Sequence, residues 1–325
     1  MESRALGSTG LSVSALGYGC GDIGGLMTKG DPTEQRAAVE RALTAGITYF
    51  DTAPGYGNGA SERNLGRVLG ELGAWNRVRV GTKVRLTRDQ LADVPGAVHA
   101  SVTASLKRLN HDSVDLLQLH TPIANPPSDS QLAPEEVLNE VASAFETIRN
   151  EGLARHIGIT GLGATAGIRQ VILSRRFETV QAYFNAVNPS AGYAGYRGGE
   201  QDMSGLIADA TAAGMGVINI RVMAAGTLQA SRHANAGDPG YAIIEGHDIG
   251  GHLSRGERLA ALAAELGLAG PYELSFRLAL ATPGISTILI GFSSLAQLHA
   301  AIDYVNSGPL PAAAVSQVLR LADAA

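Results

Sequence analysis

Short, almost wholly apolar runs alternate along this chain with longer stretches in which apolar residues recur every three or four positions. The longer pattern buries one face of a helix, and the shorter one suits strands covered on both sides, as in a parallel sheet. The runs predict strands at 15–20, 48–52, 78–84, 114–120, 156–160, 179–184, 216–220 and 286–291. The amphipathic stretches predict helices at 33–45, 61–72, 94–109, 135–151, 164–174, 205–213, 256–266, 271–281 and 294–305. Val137, Val141, Ala144, Phe145 and Ile148 show the helical spacing well.

Eight strands joined by crossover helices predict a (β/α)₈ TIM barrel forming one domain over residues 1–325. The alternative is an open doubly wound sheet, which would place a Gly-rich turn after its first strand and open a helix from it. Gly19-Cys20-Gly21-Asp22-Ile23-Gly24 has the G-x-G-x-x-G spacing, but Gly25 to Pro32 does not read as a helix. Residues 4–14 read as a hairpin around Gly7–Gly10 that caps the barrel bottom. Three long loops, 121–134, 186–203 and 221–255, follow expected strands and therefore belong to the C-terminal face, where barrel active sites are built. The last is expected to be a mobile lid.

With 325 residues, 45% of them hydrophobic, the chain can bury a large core. A net charge of −5 without any basic block argues against nucleic acid or an anionic membrane as partner and leaves a small molecule. Cys20 is the sole cysteine, so no intramolecular disulfide can form, as suits a reducing compartment. The first twenty residues carry no apolar signal core, and no apolar run is long enough for a bilayer, so a cytoplasmic location is expected. His233, Asp238, His247, Asp248 and His252 are rich in metal-ligand types, but their spacing fits no standard zinc pattern, and no metal is expected.

Chemistry concentrates at the ends of three consecutive strands. Asp51 ends the second, Lys83 the third and His120 the fourth, while Tyr56 lies in the turn five residues past Asp51. Each alone has a plain structural reading: a turn or cap residue, a strand-end lysine, a core histidine, a turn filler. Together they deliver four ionisable side chains to one rim. Lys83 is also one of only three lysines among 25 basic residues, in a chain that otherwise uses Arg.

The segments Gly46-Ile47-Thr48-Tyr49-Phe50-Asp51-Thr52-Ala53, Tyr56-Gly57, Ser61-Glu62, Gly81-Thr82-Lys83 and Leu119-His120 resemble the aldo-keto reductase family, as does the opening Leu6-Gly7-Ser8-Thr9-Gly10-Leu11. The resemblance implies hydride transfer between a nicotinamide cofactor and a carbonyl compound. It makes Tyr56 the general acid/base, Lys83 and Asp51 its supporting pair, and His120 the group that orients the carbonyl. It also implies that Lys83 lowers the tyrosine pKa from its usual value near 10.

Further cofactor contacts follow from the same resemblance. They comprise Cys20, Gly21 and Asp51; Thr160 and Gly161 where the family usually has Ser-Asn; and Gln181 as a carboxamide ligand. Arg221, Ala224, Gly226 and Leu228 fall in the segment like the family's pyrophosphate loop, and Gly291, Ser293, Ser294 and Gln297 in the one like its adenosine segment. Gly161 lacks the amide, and Ile220 stands near where many members stack an aromatic ring on the nicotinamide. No Lys or Arg occurs from Leu278 to Leu319, so NADP(H) or NAD(H) is expected with weak discrimination. The substrate pocket is expected along 121–127, Tyr193, Tyr196 and the 221–255 loop, which leaves sugars, steroid-like compounds and simple aldehydes open. Two other readings are a cofactor-binding regulatory subunit on this fold, and a barrel lyase using Lys83 as a Schiff base.

Overall fold

A computed structural model describes residues 1–195, 198, 200–228 and 249–323. Two short strands, β1 (Ser3–Ala5) and β2 (Ser12–Ser14), pair antiparallel as the expected hairpin. Eight parallel strands then close a barrel: β3 (Leu16–Gly19), β4 (Tyr49–Asp51), β5 (Arg79–Val84), β6 (Val114–Leu119), β7 (Ala154–Gly161), β8 (Thr179–Tyr183), β9 (Gly216–Ile220) and β10 (Ile285–Gly291). β10 pairs with both β9 and β3, so no edge is left and the open-sheet alternative is set aside. All eight match the expected runs to within a few residues.

The hairpin plugs the N-terminal end. Leu6 and Val13 join Tyr49, Leu116, Ile218 and Leu289 in a buried cluster inside the barrel. Gly216 is obligatory there, because a Cβ would stand 2.7 Å from the Leu6 side chain and 2.8 Å from its backbone. The second, larger apolar cluster lies between the sheet and the helices around it. With the bottom closed, polar chemistry is confined to the C-terminal ends of the strands.

The expected helices appear, with changes at their ends. Val94–Leu109 and Pro271–Ala281 match in full, and each starts with Pro in its first turn, where a missing N–H is harmless. The helical region 134–150 contains one wide π turn at Val137–Val141. Ile249–Glu265 starts seven residues earlier than expected, and its Gly250-Gly251 pair hides the start from a periodicity argument. Two helices were not anticipated, Leu26–Lys29 and Ala312–Asp323. The first corrects the reading of 25–32 as non-helical. Two of the G-x-G-x-x-G glycines before it serve packing: a Cβ on Gly24 would stand 2.3 Å from the Phe292 backbone nitrogen, and one on Gly19 2.9 Å from Ile290. Among the described residues no helix is long and apolar enough to cross a membrane.

Candidate active site

Asp51, Lys83 and His120 converge because register aligns the strands that carry them. Asp51 lies opposite Gly81 on β5, and Lys83 opposite Gln118 on β6. Gly81 makes the room: a Cβ there would come within 2.8 Å of the Tyr49 hydroxyl and 3.5 Å of the Asp51 carboxylate. Tyr56 arrives on a turn fixed from outside, where the exposed Asp22 accepts the Gly57 N–H at 3.0 Å.

Lys83 is fully buried, and its three ammonium protons have three acceptors. They are the Asp51 carboxylate, the Thr52 carbonyl at 2.9 Å and the Tyr56 hydroxyl at 3.3 Å. The ammonium also stands 4.8 Å from the centre of the Tyr56 ring. The other Asp51 oxygen accepts the Tyr49 hydroxyl at 2.9 Å and the Gln181 amide at 2.8 Å. A buried charge is costly unless paired and hydrogen-bonded, and this carboxylate is both. The imidazole of His120 meets the Tyr56 ring edge-on, with centres 5.7 Å apart.

The electrostatics divide the three groups. Burial would lower the Lys83 pKa, but Asp51 and Tyr56 outweigh it and hold it above its ordinary value. Burial raises the Tyr56 hydroxyl and Lys83 lowers it, with a net rise. The sequence-based expectation of a lowered value is therefore corrected: removing the phenolate from water outweighs the neighbouring ammonium. His120 is pushed down to about 3, by burial first and then by the Lys83 and Arg85 charges, so its imidazole is neutral across the physiological range.

A second line of support stands behind Lys83. Glu62, fully buried on helix Ala60–Glu71, accepts the Thr82 hydroxyl at 2.6 Å and pairs with Arg108 at 2.5 Å. It thus ties strand β5 to two helices. The adjacent Ser61 hydroxyl donates to the Cys20 carbonyl at 2.8 Å and lies 2.7 Å from the Thr52 hydroxyl.

These groups open into one long cavity of about 1040 Å³. From the rim at Tyr56 and His120 it runs past Thr160 and Gln181, along Arg221–Met223, Ala225 and Gly226, to Gly291, Ser293 and Gln297. Arg221, Ala224, Ala225 and Gly226 all have left-handed backbone, with φ of 63°, 47°, 55° and 98°. Three non-glycine residues in that region are unfavourable locally, and such strain gathers at ligand clamps. The turn is closed by its own backbone: the Ala224 N–H donates to the Arg221 carbonyl at 2.8 Å, and the Gly226 N–H to the Met223 carbonyl at 2.8 Å.

The expected cofactor contacts divide accordingly. Gly21, Asp51, Thr160, Gln181, Arg221, Gly226, Gly291, Ser293 and Gln297 line the groove. Ser294 faces a smaller adjoining cavity of about 280 Å³, floored by Phe276, Phe292 and Tyr304. Cys20, Gly161, Ala224 and Leu228 are buried beside the groove and do not line it. The Cys20 thiol is raised by burial and Asp51 against a smaller lowering by Lys83, so it stays protonated. Gly161 has no room for a side chain: a Cβ would come within 2.8 Å of the Gln181 carbonyl.

Other expectations also change. Pro122 lines the cavity, but Tyr193 packs 6.2 Å from Phe184, and its hydroxyl accepts from Thr282 at 3.3 Å, away from the site. Tyr196, His233, Asp238, His247, Asp248 and most of the expected lid lie outside the described residues. Within them no cluster has the makings of a metal site, and His252 pairs with Glu200 at 2.7 Å. Sequence reasoning missed Arg85, Gln131, Gln201 and Tyr272, which all line the cavity. Arg85 alone carried a signal, its place two residues after Lys83.

Known proteins agree with this architecture. The chain is 29% identical over 301 residues to L-galactose dehydrogenase of Arabidopsis thaliana, a match covering 92% of this chain and 86% of that protein. It is 35% identical over 191 residues to D-threo-aldose 1-dehydrogenase of a Pseudomonas species, covering 51% of this chain and 56% of that one. In three dimensions it is similar to an aldo-keto reductase from Bacillus halodurans in its holo form, with TM-score 0.75, 24% identity, and coverage of 100% of this chain and 97% of that one. The family model for aldo/keto reductases matches residues 15–323, and the chain belongs to the aldo/keto reductase family.

Proposed function

We propose that this protein reduces an aldehyde or ketone to an alcohol, or runs the reverse, with Tyr56 as the general acid/base. The family's chemistry is oxidoreduction with nicotinamide cofactors. The observation that carries the finer reading is the buried Asp51–Lys83–Tyr56 chain beside a cavity of about 1040 Å³ that Asp51 and Tyr56 line.

The reduced nicotinamide, when bound, supplies the hydride. Tyr56 gives its proton to the carbonyl oxygen, and its raised pKa keeps that proton in place at neutral pH. Lys83 faces the phenolate left behind and stabilises it, while Asp51 keeps Lys83 charged and aimed. Neutral His120 donates a second hydrogen bond to the same oxygen, placed where negative charge develops. Thr160 and Gln181 face the nicotinamide end, Arg221, Ala225 and Gly226 the diphosphate, and Ser293 and Gln297 the adenosine. The Schiff-base alternative fits poorly, because a lysine with a raised pKa and all three protons engaged is a weak nucleophile.

Cofactor choice follows from what surrounds the adenosine end. Arg277 is committed to Glu273 at 3.0 Å and to the Gly308 carbonyl at 2.9 Å. Ser294 caps its own helix, and the Ser293 N–H is taken by Gln297 at 2.9 Å. With no full positive charge committed there among the described residues, NADP(H) and NAD(H) should serve with kcat/KM values within about tenfold, or roughly 1.4 kcal/mol. A panel of carbonyls and alcohols run with both cofactors tests this. Turnover of generic aldehydes with both is expected. Inactivity on every substrate would favour the regulatory-subunit reading, and a preference beyond ~10³-fold would mean that a basic residue reaches the 2′-phosphate.

A further inference from the structure

Arg85 stands two residues beyond Lys83, immediately past the C-terminal end of β5. The pairing of β5 with β6 runs Lys83 to Gln118 and Val84 to Leu119, and the His120 N–H continues it by donating to the Val84 carbonyl at 2.7 Å. Arg85 therefore adjoins His120, whose imidazole feels its charge. Its side chain is exposed and lines the cavity, as do Pro122, Ser130 and Gln131.

Among the described residues no carboxylate pairs with Arg85. The contrast with Arg88, three residues on, is direct, since Arg88 meets Glu136 at 2.9 Å. The two carboxylates that do line the cavity are engaged elsewhere: Asp51 with Lys83, and Asp22 with the Gly57 N–H. A guanidinium beside the reacting carbonyl's hydrogen-bond donor, with no carboxylate paired to it among the described residues, is a site for an anion.

We propose that the physiological substrate carries a carboxylate that Arg85 binds, so that the substrate class is an aldehyde or keto acid and, in reverse, a hydroxy acid. This rests on the carbonyl reduction proposed above. Hydride adds to the carbonyl carbon, the Tyr56 proton goes to its oxygen, and the carboxylate is unchanged. The planar fork of Arg matches a carboxylate with two parallel bonds, which orients as well as attracts.

The test compares 4-carboxybenzaldehyde with its neutral analogue methyl 4-formylbenzoate at saturating NADPH. The carboxylate should be preferred in kcat/KM by at least tenfold. Arg85→Gln should shrink that ratio by at least tenfold, mainly through KM, and Arg85→Lys should restore part of it. Calorimetry of benzoate binding to NADP⁺-saturated protein should show a loss of similar size in Arg85→Gln. An equal ratio in wild type and Arg85→Gln, or benzoate binding indifferent to Arg85→Gln, overturns the proposal. Arg85-dependent benzoate binding without turnover of either aldehyde would keep the anion site and overturn the reductase reading.

Discussion

Lys83 is held by three acceptors arranged around one point, in a place with no exposed side-chain surface. A planar guanidinium cannot direct its protons in that way within the same volume. Lys83→Arg should therefore lose at least ~10²-fold in turnover, the scale of a disabled acid–base group. Steady-state turnover near wild type in that variant would reduce Lys83 to generic positive charge. His120 makes a different prediction, about stability. Its folded-state pKa of about 3 lies below the usual 6.5, so below pH 6.5 the unfolded chain takes up a proton that the folded chain refuses. The contribution is complete above pH 6.5 and is lost as pH falls toward 3. Urea denaturation at several pH values should show wild type losing stability more steeply than His120→Gln over that window. Parallel losses would mean that the imidazole protonates freely in the fold.

The four residues of the site were legible because three end consecutive strands and the fourth lies in the intervening turn. Tyr272 was not legible, since its place depends on a helix 46 residues away in sequence from the Gly226 carbonyl it contacts. The direction of the Tyr56 shift was also beyond reach, because the sequence gives the neighbouring charge but not the depth of burial.

Among the elements, helix Ala60–Glu71 links packing to chemistry. Glu62 in its first turn braces the strand that carries Lys83, and Gly66 one turn later touches helix Val94–Leu109. A Cβ on Gly66 would stand 2.1 Å from the Leu109 carbonyl oxygen, and the opposing atom is backbone that cannot swing aside. Gly66→Ala should cost about 1–3 kcal/mol, the usual range for overpacking a fixed contact. A chemical-denaturation midpoint equal to wild type would show that the two helices can separate without penalty. Strands were the most legible elements, since each apolar run is short and has a clear end. Helix Ala312–Asp323 was overlooked although Ala314, Val318 and Ala322 mark its buried face. Alanine is common on both faces of helices, so a stripe containing two of them gives weak contrast.

At the scale of the whole molecule, closure of the barrel and the plug of its lower end leave the C-terminal rim, among the described residues, as the place where the candidate polar chemistry gathers. The rim then divides by charge. Asp51 and Lys83 neutralise each other within the wall, while Arg85 and Arg221 both line the cavity. The closed sheet could be read from eight apolar runs, whereas the lining of the cavity could not, because it includes left-handed backbone at 221 and 224–226 that propensity does not reveal. The central claim is that the Tyr56 hydroxyl supplies the proton for carbonyl reduction. Tyr56→Phe keeps the ring, its edge contact with His120 and its place beneath the groove, and removes only that hydroxyl. The most direct measurement follows the loss of reduced-nicotinamide absorbance with 4-nitrobenzaldehyde in both proteins, alongside cofactor affinity by calorimetry. The expected result is a fall in kcat of at least ~10²-fold with nearly unchanged cofactor binding. Near-normal turnover in Tyr56→Phe would contradict the claim and move the proton donor elsewhere.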